Sequence, residues 1–305
     1  MNKSIKFLGL IAIIMISSLF IFSTSTKNTD GKNENDKNTS ETYKIKALKI
    51  PLNLTFAEEP VPIEKEDIKE RVDRELLVNT YWQSNGLLLF KRTNKYFPII
   101  EPILEKNGIP DDFKYLAVIE SGLQNVTSPA GAKGFWQIMK PTAKENGLEV
   151  NTNVDERYHL EKATQVACDY LNAAKERFGN WTMAAAAYNA GNAGIARKIE
   201  SQKVTSYYDL LLADETQRYV PRMVALKEIL TNPEKYGFEF ETEDLYKLEK
   251  TKIIKVDSVI TDIAQFSKNL GINYKVLKLH NPWLRENKLN NKSRKLYELK
   301  IPTEN

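Results

Sequence analysis

The sequence has 305 residues, of which 42% are hydrophobic and 28% charged, proportions that exclude a multi-span membrane protein and a wholly disordered chain. Its net charge is +4, and basic residues are interspersed with acidic ones, a pattern that does not indicate nucleic-acid binding. This length accommodates one sizeable domain and a small second one.

The N-terminal segment has the features of an export signal. Lys3 and Lys6 precede an apolar run over residues 7–22, and polar residues follow it at once. The length of the run lies between that of an ordinary signal peptide and that of a membrane-spanning helix. We predict that residues 1–23 are a signal peptide or a membrane anchor, and that the body of the protein is exported to the periplasm or cell envelope.

The next segment, residues 24–62, has no regular hydrophobic pattern. Up to about residue 40 it consists mostly of Ser, Thr, Asn, Lys, Asp and Gly, which is the composition of a flexible chain. A more apolar connector continues to residue 62. We predict a flexible tether over residues 24–62.

Hydrophobic residues recur at helical intervals through residues 63–240, and no strong alternating pattern of the kind that strands produce occurs between 63 and 235. We therefore predict an all-α central domain over residues 63–240. Glycines and Pro110 interrupt the pattern. The predicted helices cover residues 63–92, 96–105, 112–121, 160–178, 184–189 and 216–230.

Residues 250–303 follow a different pattern. Short strands are predicted at residues 253–256 and 296–301, with helices at 259–270 and 274–280 between them. A β-α-α-β order of this size indicates a small separate module.

The cysteine and histidine residues do not indicate a metal site. Cys168 is the single cysteine and lies in a helical stretch, so we predict a small core residue. His159 and His280 lie far apart, with no carboxylate or cysteine at ligand spacing. We predict no metal and no cofactor.

Glu120 ends an apolar run over residues 115–119 and directly precedes Ser121 and Gly122. The run predicts a helix buried on nearly all sides, and Gly122 suits the left-handed conformation that ends helices. Apolar surroundings and the negative end of the helix dipole both raise a carboxyl pKa. A carboxyl group that stays protonated near neutral pH can protonate a leaving oxygen; the alternative is an exposed residue at a helix end.

Three further strings contain candidate binding residues. Residues 128–139 include two glycines three residues apart and place Gln137 in an apolar run. Residues 184–191 end with Tyr188, Asn189 and a glycine, and residues 215–221 contain Glu215. Each string also has a structural interpretation: a tight loop, core packing of the tyrosine, and capping of a helix by Glu215.

In this order the four strings resemble the catalytic domain of the lytic transglycosylases, the lysozyme-like SLT family, over residues 96–230. The resemblance implies a mainly α, goose-type lysozyme-like fold with Glu120 as the catalytic acid/base. It implies substrate binding by Ser121, Ser128, Gln137, Tyr188, Asn189, Glu215 and Tyr219. In this family Ser128 would orient the N-acetyl group or the C6 hydroxyl of the sugar, and Tyr188 is the best placed to assist Glu120. The order of segments is most similar to the membrane-bound D type.

The C-terminal segment resembles a diverged LysM domain, a family that binds N-acetylglucosamine polymers. The likeness rests on the element order, on Asn281-Pro282 and on residues 299–302. It departs from the family at its start, where residues 254–258 replace the usual opening motif. Two roles for the module therefore stay open: glycan binding, or a structural or interaction role.

The resemblance implies a reaction on peptidoglycan glycan strands. Glu120 would cleave the β-1,4 bond between N-acetylmuramic acid and N-acetylglucosamine without water and leave a 1,6-anhydro end. One alternative is a lysozyme-type muramidase in which Asp155 or Glu215 positions a water, because hydrolases usually use two carboxylates. Another is an inactive peptidoglycan-binding scaffold. The implied partners are the glycan strands, cell-wall machinery, and the membrane if residues 1–23 are uncleaved; nucleic acid is not among them.

Overall fold

A computed structural model of the chain describes residues 45–303. The predicted signal or anchor, residues 1–23, and residues 24–44 of the predicted tether lie outside the described residues. In the part that is described, none of the helices combines the length and the apolar character needed to cross a membrane.

The described chain is mainly α-helical with two small two-stranded antiparallel sheets, which confirms the predicted fold class. The helices are α1 (Glu66–Tyr81), α2 (Gln83–Lys106), α3 (Lys114–Ser121), α4 (Lys140–Glu145), α5 (Leu160–Phe178), α6 (Trp181–Ala190), α7 (Asn192–Gln202), α8 (Asp214–Gln217), α9 (Tyr219–Thr231), α10 (Ile263–Asn269) and α11 (Tyr274–His280). The strands are β1 (Thr55–Phe56), β2 (Glu59–Pro60), β3 (Thr251–Val256) and β4 (Tyr297–Pro302).

Two helix pairs form the main core. α9 lies against α1, and α5 lies against α6. The four alanines at positions 184–187 are fully buried, as expected where small side chains let neighbouring helices approach closely. Cys168 on α5 is also fully buried, which confirms that it is a small core residue.

Helix boundaries differ from the predicted ones in the first half of the domain. Residues 63–92 do not form one helix, because the chain breaks at Trp82, whose ψ of 61° is not helical. The helix predicted over residues 96–105 is the last part of α2, which continues through Pro98 and Pro102. Both prolines are exposed, so water can hydrogen-bond the backbone carbonyls that lose an N–H partner.

Part of the segment predicted as a flexible tether belongs to the folded core. Phe56 in the β1–β2 hairpin is fully buried and packs edge-to-face on Phe113, with ring centroids 5.1 Å apart. Glu59 accepts hydrogen bonds from the Trp181 and Thr182 N–H groups at 2.5 and 3.0 Å and so caps α6. The tether prediction is therefore wrong for residues 54–62, whose few apolar side chains are too irregularly spaced to give a periodic signal.

The C-terminal elements have the predicted β-α-α-β order. β3 and β4 pair antiparallel, with Ile254 opposite Leu299. α11 packs against β4, and α10 packs against α11. Ile263 and Leu277, one from each helix, are fully buried in this small core.

This module is not a separate body, because it shares its core with residues 149–161 of the helical domain. Val154 and Tyr158 are buried among the apolar side chains of the module, and Val154 forms a β-bridge with Leu284. The Asp155 N–H donates to the Trp283 carbonyl at 2.9 Å. The prediction of a separate module is therefore wrong in this respect, although its element order is confirmed.

Charged groups reinforce the same contact. The ammonium group of Lys295 pairs with Glu149 at 2.8 Å and with Glu156 at 3.3 Å. The Tyr297 hydroxyl donates to Glu149 at 2.8 Å, and Arg285 lies 4.2 Å from the centre of the Tyr158 ring. Glu156 is almost fully buried, so these partners offset the cost of removing its charge from water.

Removing the indole of Trp283 should destabilise the whole described unit. Trp283 is buried and stacks on Tyr297 with ring centroids 5.5 Å apart, so Trp283→Ala should lower the free energy of unfolding by about 3–5 kcal/mol. Chemical denaturation followed by circular dichroism should show one transition at lower denaturant concentration. Leu279→Ala, at a position that is 66% exposed, is the control and should change little. A separate early transition with an unmoved main one would contradict the shared core.

Candidate active site

Glu120 lies at the end of α3, as the sequence predicts. The helix residues before it, 115–118, are buried, and Glu120 itself is half-buried. Gly122 ends the helix in the left-handed conformation, with φ 58° and ψ 33°, and its N–H donates to the Val118 carbonyl at 2.8 Å. The carboxyl group therefore stands where the helix stops and the chain turns toward the next loop.

Tyr219 is the tyrosine that holds Glu120. It is the first residue of α9, is 2% exposed, and donates a short hydrogen bond from its hydroxyl to Glu120 Oε1. Tyr188, which the resemblance placed best to assist Glu120, donates instead to the Trp136 carbonyl at 2.8 Å. Tyr188 nevertheless lies near enough for the charge of Glu120 to contribute to raising its pKa, after the larger effect of burial.

The surroundings of Glu120 shift its pKa in favour of the protonated form. Burial raises the pKa of Glu120 and the negative charge of Glu215 adds to that rise, whereas the hydrogen bond from Tyr219 and the positive charge of Arg222 lower it. The net shift is upward from the ordinary value. Burial also raises the pKa of Tyr219 well above its usual range, so its hydroxyl stays a neutral donor.

Glu215 and Asn189 meet at the edge of the site. Glu215 is exposed on the single-turn helix α8, and its Oε1 lies 3.5 Å from the Asn189 amide nitrogen. The Thr216 hydroxyl donates to the Asn189 Oδ1 at 2.7 Å, which fixes that amide. The sequence predicted one helix from residue 216, but α8 ends before Arg218 and α9 begins at Tyr219. Because of this break, Glu215 lies beside Asn189 whereas Tyr219 contacts Glu120.

A cavity of about 290 Å³ lies between the C-terminal end of α6 and the loop before α4. Gln137, Met139, Tyr170, Tyr188 and Asn189 are among its lining residues. Three of these are residues that the sequence proposed as substrate contacts. The mixture of aromatic faces and amide groups is suited to sugar rings, which offer both apolar faces and hydroxyl groups.

The loop over residues 126–139 is held by its own backbone. Ser128 Oγ accepts a hydrogen bond from the Ala132 N–H at 3.0 Å, and the Gln137 side chain donates to the Gly134 carbonyl at 2.7 Å. Gly134 has φ +79°, and a Cβ there would lie 2.1 Å from the Arg157 carbonyl oxygen. Only glycine therefore fits at this position. Ser128 and Gln137 thus shape the loop, and Gln137 also lines the 290 Å³ cavity.

Ser121 connects α3, the helix that carries Glu120, to this loop. Ser121 is 9% exposed, and its hydroxyl lies 3.1 Å from the Ala117 carbonyl and 2.9 Å from the Phe135 carbonyl, either of which can accept its hydrogen bond. The Gln124 N–H donates to the same hydroxyl at 3.3 Å. These bonds give Ser121 a role in positioning the turn after Glu120, which differs from the predicted contact with substrate.

Asp155 lies in a buried ion pair under the loop. The Arg157 guanidinium donates to both of its carboxylate oxygens, at 2.9 and 2.8 Å. Burial alone would raise the pKa of Asp155, but the hydrogen bonds and charge of Arg157 outweigh it and hold the pKa below its usual range. Arg157 also donates to the carbonyls of Gly131 and Ile138 at 3.1 and 3.3 Å. Arg157 was not predicted from the sequence, because no local pattern distinguishes it from a solvent-exposed arginine.

The described residues contain no group of three or more His, Cys, Asp or Glu side chains placed to hold a metal ion. The site so defined consists of one half-buried carboxyl group, a tyrosine that donates to it, and an adjoining cavity lined by amide and aromatic groups.

Comparison with known protein families agrees with this geometry. Residues 97–211 match the family described as "Transglycosylase SLT domain", and residues 252–305 match the "Soluble lytic transglycosylase C-terminal LysM-like domain". The chain therefore carries an SLT domain followed by a LysM-like domain. By these domains and its relatives, it belongs to the lytic transglycosylase family.

The curated relatives include the membrane-bound lytic murein transglycosylase D of Escherichia coli strain K12, which is 30% identical over 225 residues. That match covers 72% of this chain and 48% of the relative, so the chain spans about half the length of that protein. A putative tributyltin chloride resistance protein of Alteromonas sp. strain M-1 is 28% identical over 114 residues, which cover 37% of this chain and 55% of that protein.

Solved structures with some likeness include two lytic transglycosylases. The 70 kDa soluble lytic transglycosylase of Escherichia coli has a TM-score of 0.39 and 21% identity, with 50% of this chain and 27% of that chain covered. An inactive mutant of the lytic transglycosylase Slt of Pseudomonas aeruginosa has a TM-score of 0.39 and 18% identity. The match covers 51% of this chain and 27% of that chain.

Tyr219→Phe should raise the pKa of Glu120, because it removes the hydrogen bond that favours the ionised carboxylate. The carboxyl carbon of Glu120, followed by NMR over a pH titration, should then titrate at higher pH than in the wild type. Tyr170→Phe is the control, since the Tyr170 hydroxyl donates to the Ala187 carbonyl at 2.9 Å and not to Glu120. An unchanged or lower titration midpoint in Tyr219→Phe would contradict the assigned role of Tyr219.

Proposed function

We propose that this chain is a peptidoglycan lytic transglycosylase in which Glu120 acts as the single acid/base. The observation that carries the proposal is one half-buried carboxyl group with a raised pKa, held by the buried hydroxyl of Tyr219. Its membership of the lytic transglycosylase family and the name of its Escherichia coli relative support a murein substrate.

The first chemical step is a proton transfer to the leaving oxygen. The Glu120 carboxyl group protonates the oxygen between N-acetylmuramic acid and N-acetylglucosamine, and the bond from that oxygen to the anomeric carbon breaks. The raised pKa favours the protonated form that this transfer requires. The carbonyl oxygen of the substrate's own N-acetyl group stabilises the positive charge at the anomeric carbon. The hydrogen bond from Tyr219 then stabilises the carboxylate that Glu120 becomes.

The second step closes a ring within the sugar. The Glu120 carboxylate takes the proton of the C6 hydroxyl, and the C6 oxygen bonds to the anomeric carbon. The product is a 1,6-anhydro end, Glu120 is protonated again, and no water is consumed. Because the attacking hydroxyl belongs to the same sugar ring, the step has the entropic advantage of an intramolecular reaction.

The arrangement of nearby carboxylates favours this reaction over hydrolysis. A hydrolase would use a second carboxylate as nucleophile or as base for a water. Asp155 is engaged by Arg157 under the loop, and Glu215 is exposed beside Asn189. In this proposal Gln137, Tyr188, Asn189 and Glu215 bind the saccharide in and beside the 290 Å³ cavity.

The remaining parts of the chain have proposed roles consistent with an envelope enzyme. Residues 1–23 would direct export to the periplasm or cell envelope as a cleaved signal or an anchor, and residues 24–44 would link them to the folded part of the chain. The core that the LysM-like module shares with residues 149–161 favours a structural role for it, and glycan binding is the second role. The domain bounds then become 54–246 for the catalytic part and 250–303 for the module.

Glu120→Gln should abolish most of the activity. The amide keeps the shape and much of the hydrogen bonding of the side chain, but it cannot donate and retake the proton. Release of soluble fragments from purified sacculi should fall at least about a hundredfold. Glu200→Gln, an exposed position on α7, is the matched control. Near wild-type release by Glu120→Gln would remove Glu120 from the mechanism, and no release by the wild type would favour an inactive scaffold.

Reaction in heavy-oxygen water separates transglycosylation from hydrolysis. The proposed ring closure brings no solvent oxygen into the product, so mass spectrometry should find unlabelled 1,6-anhydro ends. A lysozyme-type muramidase would label every new reducing end. Labelled reducing ends as the main product would therefore replace the proposed mechanism with hydrolysis.

A further inference from the structure

A second cavity, of about 350 Å³, lies beside the catalytic helix and is lined by arginines. Arg74 comes from α1, Arg92 from α2, and Arg218 and Arg222 from the start of α9. Glu75 is the acidic residue among the lining side chains. This arginine cavity is distinct from the 290 Å³ cavity beside Tyr188, with which it shares no lining residue.

The charges in the arginine cavity do not balance. Glu75 is 2% exposed and faces Arg74 at 2.5 Å, Arg218 at 3.1 Å and Arg222 at 3.4 Å. Four guanidinium groups therefore line the cavity against one carboxylate, and Asp214, which pairs with Arg218 at 3.1 Å, adds one more negative charge. A concave site with excess positive charge concentrates anions.

Donor groups are available for such an anion. Arg222 pairs with Glu75 through its Nε. Within residues 45–303 its two Nη groups have no hydrogen-bond partner. Arg92 uses one Nη to hold the Gly122 carbonyl at 3.2 Å. Guanidinium groups present several N–H donors in a planar fork that matches a carboxylate. The side chain of Asn85 and the exposed ring of Trp82 complete the same cavity.

The arginine cavity adjoins the reacting group. Val118, Ser121 and Gly122, which flank Glu120 in the chain, line it. Arg222 lies three residues after Tyr219, and its positive charge contributes to the pKa of Glu120. A group bound in this cavity would therefore sit next to the end of the helix that presents the catalytic carboxyl.

We propose that this cavity binds the carboxylates of the peptide that is attached to muramic acid. The inference rests on the proposed function, because it assigns a second part of the same substrate to a second cavity of the same site. Peptides of peptidoglycan carry several free carboxylates, whereas a glycan chain stripped of its peptides keeps only the lactyl carboxylate of each muramic acid. The enzyme then binds both the sugar chain and the acidic peptide attached to it.

Asn85→Asp tests the proposal by adding one negative charge inside the cavity. Asn85 is the third residue of α2, a position where the helix dipole favours an aspartate, so the fold should be kept. Gln83→Glu is the matched control: it makes the same change in the same helical turn, at an exposed residue outside the cavity. Thermal melting of both variants should match that of the wild type.

The substrates are glycan strands with their peptides and the same strands after an amidase has removed the peptides. Asn85→Asp should lower kcat/KM on the peptide-bearing strands about tenfold more than on the naked strands, the size expected for one weakened charge-assisted hydrogen bond. Gln83→Glu should leave both unaffected. Equal effects of Asn85→Asp on the two substrates, or no effect on either, would overturn the proposal while leaving the proposed function intact.

A binding measurement keeps the two proposals distinguishable. Calorimetry with a soluble N-acetylmuramoyl peptide and the Glu120→Gln protein should show binding that weakens with salt and falls about tenfold when Asn85→Asp is added. Cleavage of neither substrate by the wild type would refute the proposed function, and the calorimetry would still report on the cavity. Absence of binding, or equal binding with and without Asn85→Asp, would contradict the proposal and would mean that the arginines form only a structural ion-pair cluster.

Discussion

The loop of the site and the C-terminal module both depend on the buried ion pair between Arg157 and Asp155. Arg157 also holds the Gly131 and Ile138 carbonyls at two points of the loop. The backbone of Asp155 is in turn bonded to Trp283 of the module. Removing one partner of a buried pair of this kind typically costs about 3–5 kcal/mol. The module, the ion pair and the loop are therefore parts of one folding unit, which explains why a small β-α-α-β element follows the helical domain so closely.

The features that the sequence could predict are those that local patterns determine. Glu120 at a helix end before Gly122 follows from one apolar run and one glycine, and the β-α-α-β order follows from short periodic segments. α7 was not predicted because Ile195 is its one buried residue, so no apolar stripe marks it. The arginine of the buried pair was also missed, since its partners lie up to 26 residues away along the chain.

The choice between the two candidate tyrosines shows the same limit inside the site. Tyr188 and Tyr219 each lie within one of the sequence strings that resemble the family, and both are close to Glu120 in the fold. Which hydroxyl reaches the carboxyl group depends on the break at Arg218, which starts α9 at Tyr219, and on the Trp136 carbonyl, which accepts the Tyr188 hydroxyl. Neither the break nor the carbonyl partner has a sequence signal of its own, because each results from long-range packing.

The proton affinity of Glu120 is set by opposing groups that belong to different parts of the cleft. Burial and the charge of Glu215 raise its pKa, and Tyr219 and Arg222 lower it. Arg222 also lines the arginine cavity. An anion bound there would offset the charge of Arg222 and so raise the pKa of Glu120 further. In the proposed reaction, an acidic peptide bound in the arginine cavity would therefore favour the protonated form of Glu120, and peptide binding would be coupled to the protonation state of that carboxyl group.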